Sequence, residues 1–179
     1  MIIDQITNQP VLTADRFVLR PVRRSDAGAL SLHMGDKRVA EACSAIPHPL
    51  PPGVIESFIA RILGSDMDEE VWVLDGDHDG RREVLGAINL KRLDREQSQL
   101  SYWIAPGFWN SGLASEAVSA LVNANPLDNR EIFAEVFQDN PASARVLTNT
   151  GFEYLGDAES HSVARGVNVP TWTYIKKMG

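Results

Sequence analysis

The sequence predicts one α/β (α+β) domain, a mixed and mostly antiparallel sheet of six to seven strands with helices on both faces. Three observations lead there. The chain has 179 residues, the length of one ordinary domain, and no repeat or linker-like tract divides it. Apolar residues make up 44% and charged residues 23%, which suffices for a core without staples. The hydrophobic period also changes along the chain: a strand and two helices come first, then a meander, then helix, strand, helix and two strands.

Residues 1–11 read as an extended lead-in. Phe17-Val18-Leu19-Arg20-Pro21-Val22 is a β-branched and aromatic run, a first strand. Ser25-Asp26 opens a helical stretch through Leu30, Met34 and Val39, with Ser25 as its N-cap. Ile46-Pro47-His48-Pro49-Leu50-Pro51-Pro52-Gly53 holds too many prolines for a helix and is a loop. Val54, Ile55, Phe58, Ile59, Ile62 and Leu63 then recur at helical spacing. Val71–Leu74 is a strand and Asp75–Gly80 a polar turn. Val84–Leu90 and Gln97–Ile104 complete an antiparallel meander.

Beyond it, Leu113, Ala117, Ala120, Leu121 and Ala124 share one helical face, ended by Pro126. Ile132–Phe137 is a strand, and Pro141–Thr150 a helix with proline in its first turn and Gly151 behind it. Phe152–Leu155 and Trp172–Lys176 are the last strands, and the segment Thr171–Ile175 is a candidate edge for pairing across a dimer. Strands that flank a helix are expected to run parallel, with a right-handed crossover.

Composition removes several function classes. Seventeen Lys and Arg against 24 Asp and Glu give a net charge of −7, with no basic run to meet a nucleic acid. Cys43 is the single cysteine, so an internal disulfide and a cysteine-cluster metal site are excluded. It reads as a small buried hydrophobe rather than a nucleophile. Histidines and carboxylates are too scattered for a metal site. No signal peptide or membrane span is visible, and a cytoplasmic location is expected.

Two segments carry candidate chemistry. In Pro106-Gly107-Phe108-Trp109-Asn110-Ser111-Gly112-Leu113-Ala114-Ser115-Glu116-Ala117, small residues join a strand to a helix. Such a turn aims free N–H groups and the positive helix end at one point, an anion site suited to a pyrophosphate. Gly112 and Ala114 allow close approach, and Ser115 adds a hydroxyl. Equally, Gly112 simply begins a helix. Neither G-x-G-x-x-G nor a Walker loop is present. The second segment is Asn140-Pro141-Ala142-Ser143, followed by Gly151-Phe152. Asn140 occupies an N-cap position, and Ser143, one turn in, faces either solvent or a cleft.

In this order and spacing the segments resemble the GNAT superfamily of N-acetyltransferases over nearly the whole chain. Trp109 to Ala117 is similar to the acetyl-CoA loop, closest to the W-G-x-G-x-A-T/S-E-A form of the ribosomal-protein-alanine acetyltransferase-like branch. Asn140-x-x-Ser143 with Gly151-Phe152 is similar to that branch's N-x-x-S…G-F element. Leu19-Arg20-Pro21 with Asp26, and Ile46-Pro47-His48-Pro49, resemble its opening and its loop before the second helix.

The resemblance implies an acetyl-CoA-dependent enzyme that acetylates a primary amine by direct attack in a ternary complex, without a metal. Backbone groups at Leu100, Tyr102 and Ile104 would pair with the pantetheine arm. Trp109, Asn110, Ser111, Gly112, Leu113, Ala114 and Ser115 would cradle the pyrophosphate, and Asn140 would bond the cofactor arm. Ser143 would protonate the departing thiolate, and a main-chain N–H near Tyr102 would meet the oxyanion.

The sequence departs from the pattern at several places. Gln99 stands where the branch commonly has a basic Glu, and an amide only orients a substrate or water. Leu147 stands where other members carry an acidic Tyr, and Asn110 replaces the loop glycine. His48 is a candidate at the acceptor cleft or an exposed loop residue. Asp94 and Glu96 are expected at a solvated tip, and His33 and His161 lack spacing partners. The acceptor is a protein N-terminus or a small amine, and the protein a monomer or homodimer. Two alternatives are a weakened CoA-binding sensor or partner module, and an acyltransferase for longer acyl-CoA thioesters.

Overall fold

The structure is a computed structural model that describes residues 9–64, 68–78 and 81–179. Its strands are β1 (Leu12–Thr13), β2 (Phe17–Pro21), β3 (Glu69–His78), β4 (Arg81–Arg92), β5 (Gln97–Ile104), β6 (Glu131–Phe137), β7 (Glu153–Ser162) and β8 (Val167–Lys177). Helices are α1 (Ala27–Met34), α2 (Lys37–Ala42), α3 (Val54–Ile62), α4 (Leu113–Ala124) and α5 (Pro141–Asn149). The strands form one sheet in the order β1-β2-β3-β4-β5-β6-β8-β7. Among the described residues only β5 and β6 are parallel neighbours, joined through α4 as expected for a crossover.

Both faces are covered. Leu19, Trp72, Leu74, Ile88, Leu90 and Leu100 pack with Leu113, Ala117, Val118 and Leu121 of α4 and Leu147 of α5. On the other face Val22, Val73 and Val84 pack with Leu30 of α1 and Ile55 and Ile59 of α3. Alternation along each strand divides its residues between these two cores.

Among the described residues the sheet has eight strands rather than six or seven, because Leu12-Thr13 pairs with Val18-Leu19. Two residues are too few to show a period. The expected helix from Ser25 is instead a 3-10 turn and two helices. Ser25 lies inside the turn Arg24–Asp26, where the Asp26 carboxylate accepts from the Arg23 N–H at 2.8 Å. Asp36 then restarts the chain as the N-cap of α2, accepting from Arg38 N–H at 2.9 Å.

Asp75-Gly76 is strand, not turn, because buried Asp75 meets Arg20 at 2.7 Å from the neighbouring β2. Asp79 and Gly80 of that expected turn lie outside the described residues. The last two strands are longer than their apolar cores suggest. β7 is mostly exposed, so backbone pairing with β8 rather than side-chain burial defines it. Thr171–Ile175 is no edge either: β8 lies between β6 and β7, and the sheet ends are β1 and β7. No helix among the described residues is long and apolar enough to cross a membrane.

Candidate functional site

The parallel pairing of β5 and β6 lasts four residues, from Gln97 opposite Glu131 to Leu100 opposite Ala134. Beyond that point β5 continues to Ile104 and β6 to Phe137 without pairing to each other. The sheet therefore opens between them, and backbone groups of β5 past Leu100 have no strand partner on that side. A cavity of about 680 Å³ lies at this opening. Gln99, Ser101 and Tyr102 of β5, Glu135 of β6, and Asn140 and Ser143 of α5 all line it. Met34, Cys43, Leu50 and Phe58 form its wall on the α1–α3 side.

Asn140 caps α5, its Oδ1 accepting from the Ser143 N–H at 3.3 Å, and this turns Ser143 toward the opening. The Tyr102 Oη lies 2.6 Å from Ser143 Oγ and 3.2 Å from the Ser143 carbonyl oxygen. Burial pushes the Tyr102 hydroxyl up to about 12, against a smaller lowering by its bond to Ser143. It is a neutral proton donor. Sequence reasoning placed Tyr102 at the site for its main chain alone, because the hydroxyl partner is 41 residues away. Leu147 is fully buried in the core and has no chemistry to offer. Cys43 packs beside Val39, Ala40 and Ile46, and burial pushes its thiol up to about 12, so it is a thiol and no nucleophile.

The loop before α4 lies after β5 in the chain. Pro106–Phe108 form a 3-10 turn, and Asn110 and Gly112 adopt positive φ of 59° and 80°. Glycine tolerates that conformation without strain, which explains Gly112 at the helix start. The first helical bond runs from the Glu116 N–H to the Gly112 carbonyl at 3.1 Å, so the N–H groups of Leu113, Ala114 and Ser115 have no intrahelical acceptor.

Arg16 holds this loop in shape. Its Nη1 donates to the Ser111 carbonyl at 2.7 Å, and its Nε and backbone N–H donate to the Glu116 carboxylate at 2.7 and 2.8 Å. No local pattern in the sequence marks this pair, which is 100 residues apart. Trp109 is 43% exposed and donates its indole N–H to the Ile104 carbonyl at 2.7 Å, so it is not packed into the sheet. Phe108 and Trp172, by contrast, pack on the core.

Other candidates stand apart. His48 is half-buried, its Nδ1 without a hydrogen-bond partner, and it is not among the residues lining the cavity. Asp94 is exposed, and Glu96 pairs loosely with Arg130 at 3.8 Å. The His33 ring lies 6.1 Å from that of Trp103, and His161 is exposed beside Asn168. Among the described residues no group of three or more His, Cys, Asp or Glu is placed to hold a metal ion.

Two cavity carboxylates escaped sequence reasoning. Asn89 accepts from the Ser101 hydroxyl and donates to Glu69 at 2.6 Å. Glu135 accepts from the Thr171 hydroxyl at 2.5 Å. Outside the cavity lining, the β7–β8 turn docks against the end of α2, where Arg165 donates to the Glu41 carbonyl at 2.8 Å and to Asp139 at 2.5 Å.

The family model for the acetyltransferase (GNAT) domain matches residues 16–153. The chain belongs to the GNAT acetyltransferase family. It is accordingly an acyltransferase. The chain is 28% identical over 174 residues to the uncharacterized N-acetyltransferase YoaA of Bacillus subtilis, covering 92% of this chain and 95% of that one. Among solved structures, RimL, a ribosomal L7/L12 α-N-protein acetyltransferase in complex with coenzyme A, superposes with a TM-score of 0.79. It is 16% identical over 94% of this chain and 98% of that one. The spermidine N-acetyltransferase of Vibrio cholerae, in complex with CoA and spermine, gives a TM-score of 0.78 at 14% identity, covering 91% and 96%. At those identities the likeness is one of fold.

Proposed function

We propose that this GNAT protein is an acetyl-CoA-dependent N-acetyltransferase of the ribosomal-protein-alanine acetyltransferase-like branch, acting on a primary amine in a ternary complex. The observation that carries the reading is the Tyr102–Ser143 pair at the mouth of the β5–β6 opening, with the turn into α4 following the same strand. In this reading the pantetheine arm enters the opening and pairs with backbone groups of β5 around Leu100, Tyr102 and Ile104. Asn140, whose Oδ1 is held by the cap, meets the arm with its amide nitrogen.

The pyrophosphate rests on the loop from Trp109 to Ser115, where the N–H groups of Leu113, Ala114 and Ser115 and the helix dipole favour an anion. The amine enters from the cavity, with Gln99 on its wall to orient it. Attack requires reactants held in line more than it requires a strong protein nucleophile. A β5 N–H near Tyr102 stabilises the oxyanion, and Ser143, backed by Tyr102, protonates the thiolate. RimL and the spermidine enzyme suggest the acceptor range, a protein N-terminus or a polyamine-like amine, in the cytoplasm.

A thermal melt with acetyl-CoA, CoA and NAD tests the cofactor. Ligand at about 100 times its dissociation constant adds about 2.7 kcal/mol. In a domain this size that raises the midpoint by about 5–10 °C. Shifts with acetyl-CoA and CoA but not NAD, followed by turnover of an amine panel, support the reading. A shift without turnover of any amine points to a CoA-binding module, and turnover only of longer thioesters to a different acyl donor. No shift at saturation refutes it.

Arg16→Ala tests the loop. It removes the guanidinium that holds Ser111 and Glu116, and should raise the KM for acetyl-CoA about tenfold, the equivalent of 1.4 kcal/mol. The KM for acetyl-pantetheine, which lacks the pyrophosphate, should stay unchanged. An equal loss with both donors would refute a role at the phosphates.

A further inference from the structure

One end of the cavity floor carries charge that the transfer chemistry does not use. Register sets Glu69 of β3 opposite Lys91 of β4, and Lys91 opposite Gln99 of β5, so the three form one row across the sheet. Residues directly opposite one another share a face. All three line the cavity, and Arg61 of α3 lines it from the other side. Two residues along the strands, the next row on this face holds Asn89 and Ser101. Leu100, the last β5 residue paired to β6, lies between the two rows.

The members of the first row are unequally engaged. Glu69 is held, its Oε1 accepting from Asn89 Nδ2 at 2.6 Å and its Oε2 lying 3.7 Å from Arg61 Nη1. Ser101 in turn donates to Asn89 Oδ1. The Arg61 guanidinium lies over the Phe58 ring, 5.6 Å from its centroid, and its Nε and Nη2 make no bond to the described residues. Lys91 stands opposite Glu69 yet makes no ion pair with it. Neither the Lys91 ammonium nor the Gln99 side-chain amide bonds to any described residue. Arg61 and Lys91 set against Glu69 leave one positive charge here, beside an amide donor. One carboxylate neutralises that charge and gives the three donors an acceptor. A polyamine would instead bring further cations against Arg61 and Lys91.

We propose that Arg61, Lys91 and Gln99 form a carboxylate subsite for the acceptor, so that the amine acetylated by this protein carries a carboxylate a few bonds from its nitrogen. A free acidic amino acid and an acidic residue at a peptide N-terminus both have that chemistry. The assignment rests on the acetyltransferase reading above and narrows its acceptor range. Lys91 Nζ and the Gln99 amide donate to the carboxylate from the sheet, and Arg61 donates from α3. The two rows are about 7 Å apart, two residues of strand. A carboxylate held at the first row therefore leaves the acceptor nitrogen near Ser101, beside the opening where the thioester arrives. The acceptor's apolar atoms rest on Met34, Leu50 and Phe58 of the opposite wall.

The test compares four acceptors with acetyl-CoA: glutamate, glutamyl-alanine amide, its neutral counterpart glutaminyl-alanine amide, and spermidine. In the unmodified protein, kcat/KM for glutamate or glutamyl-alanine amide should exceed that for glutaminyl-alanine amide at least about tenfold, with spermidine poorest. The better of the two carboxylates tells a free amino acid from a peptide end. Lys91 is exposed, so Lys91→Met should fold and keep the thermal shift with acetyl-CoA. It should raise the KM for the carboxylate acceptor about tenfold with little change in kcat, and the preference over the glutaminyl compound should collapse. Arg61→Met should act in the same direction, and Lys91→Glu should turn the preference toward the neutral acceptor and spermidine. Equal or better turnover of the glutaminyl compound or spermidine by the unmodified protein overturns the acceptor class. A preference that survives Lys91→Met and Arg61→Met together overturns the site. If none of the four is turned over, the acetyltransferase reading itself is overturned, and the acceptor with it.

Discussion

Replacing Arg20 by methionine is expected to destabilise the fold by about 3–5 kcal/mol, the cost of removing one partner from a buried charge network. Arg20 grips Asp26 with two parallel bonds, Nη1 to Oδ2 at 2.9 Å and Nη2 to Oδ1 at 2.8 Å, and Asp75 with Nε at 2.7 Å. The side chains of Arg20, Asp26 and Asp75 are 9%, 5% and 10% exposed. Arg82 reaches Asp75 from the surface at 3.1 Å. The network ties the entry of α1 to β2 and β3. Methionine fills similar space but leaves buried Asp26 without a charged partner and Asp75 with Arg82 alone.

The pH dependence gives this expectation a second readout. Burial pushes the Asp75 carboxyl up, but Arg20 and then Arg82 pull it further down, below its ordinary value. A carboxyl depressed in the folded state stabilises above its unfolded pKa, and that contribution is lost as the pH falls through the folded value. In Arg20→Met the Asp75 carboxyl loses the partner that pulled it down most. The difference in unfolding free energy between the two proteins should therefore be full at neutral pH and shrink below the ordinary carboxylate range. Denaturant titrations of both proteins at neutral and acidic pH measure it. A loss below about 1 kcal/mol, or one that does not change with pH, would mean that water reaches the carboxylates after all.

That network also shows what the sequence can and cannot disclose. The amphipathic face of α4, the Pro141 and Asn140 start of α5 and the meander were legible, because each rests on contacts within a few residues and a repeating period. Asp75-Gly76 reads as a turn because the Arg20 that makes it a strand lies 55 residues away. β7 is nearly all exposed, so its residues carry no alternation to read, and its length comes from the ladder with β8.

The site divides in the same way. The turn at Gly112 and the Asn140-x-x-Ser143 spacing are local signals. The brace from Arg16, the bond between Tyr102 and Ser143, and the place of Glu135 in the cavity depend on register between distant strands. No window of sequence contains them. His48 illustrates the converse. Its loop does border the cavity through Ile46, Pro47 and Leu50, yet His48 itself is not among the lining residues.

Ser143→Ala is expected to lower kcat about 100-fold with little change in the KM for acetyl-CoA, since a proton donor acts on the departing sulfur and not on the bound donor. The fold should survive the change, because the α5 cap uses the backbone N–H of Ser143 and the side chain of Asn140. Tyr102→Phe should cost less, about tenfold, since it leaves Ser143 in place and removes only the hydroxyl 2.6 Å behind it. If the two hydroxyls work as one chain, the double variant should be no slower than Ser143→Ala alone. Independent losses that multiply would place the hydroxyls in separate steps. Because burial holds Tyr102 near 12, its phenol stays protonated throughout the working range, and Tyr102→Phe should leave any alkaline limb of kcat where it stands in the unmodified protein. A limb that moves in Tyr102→Phe would show instead that the phenol titrates during turnover, and the proton relayed to sulfur would have to come from Ser143 alone.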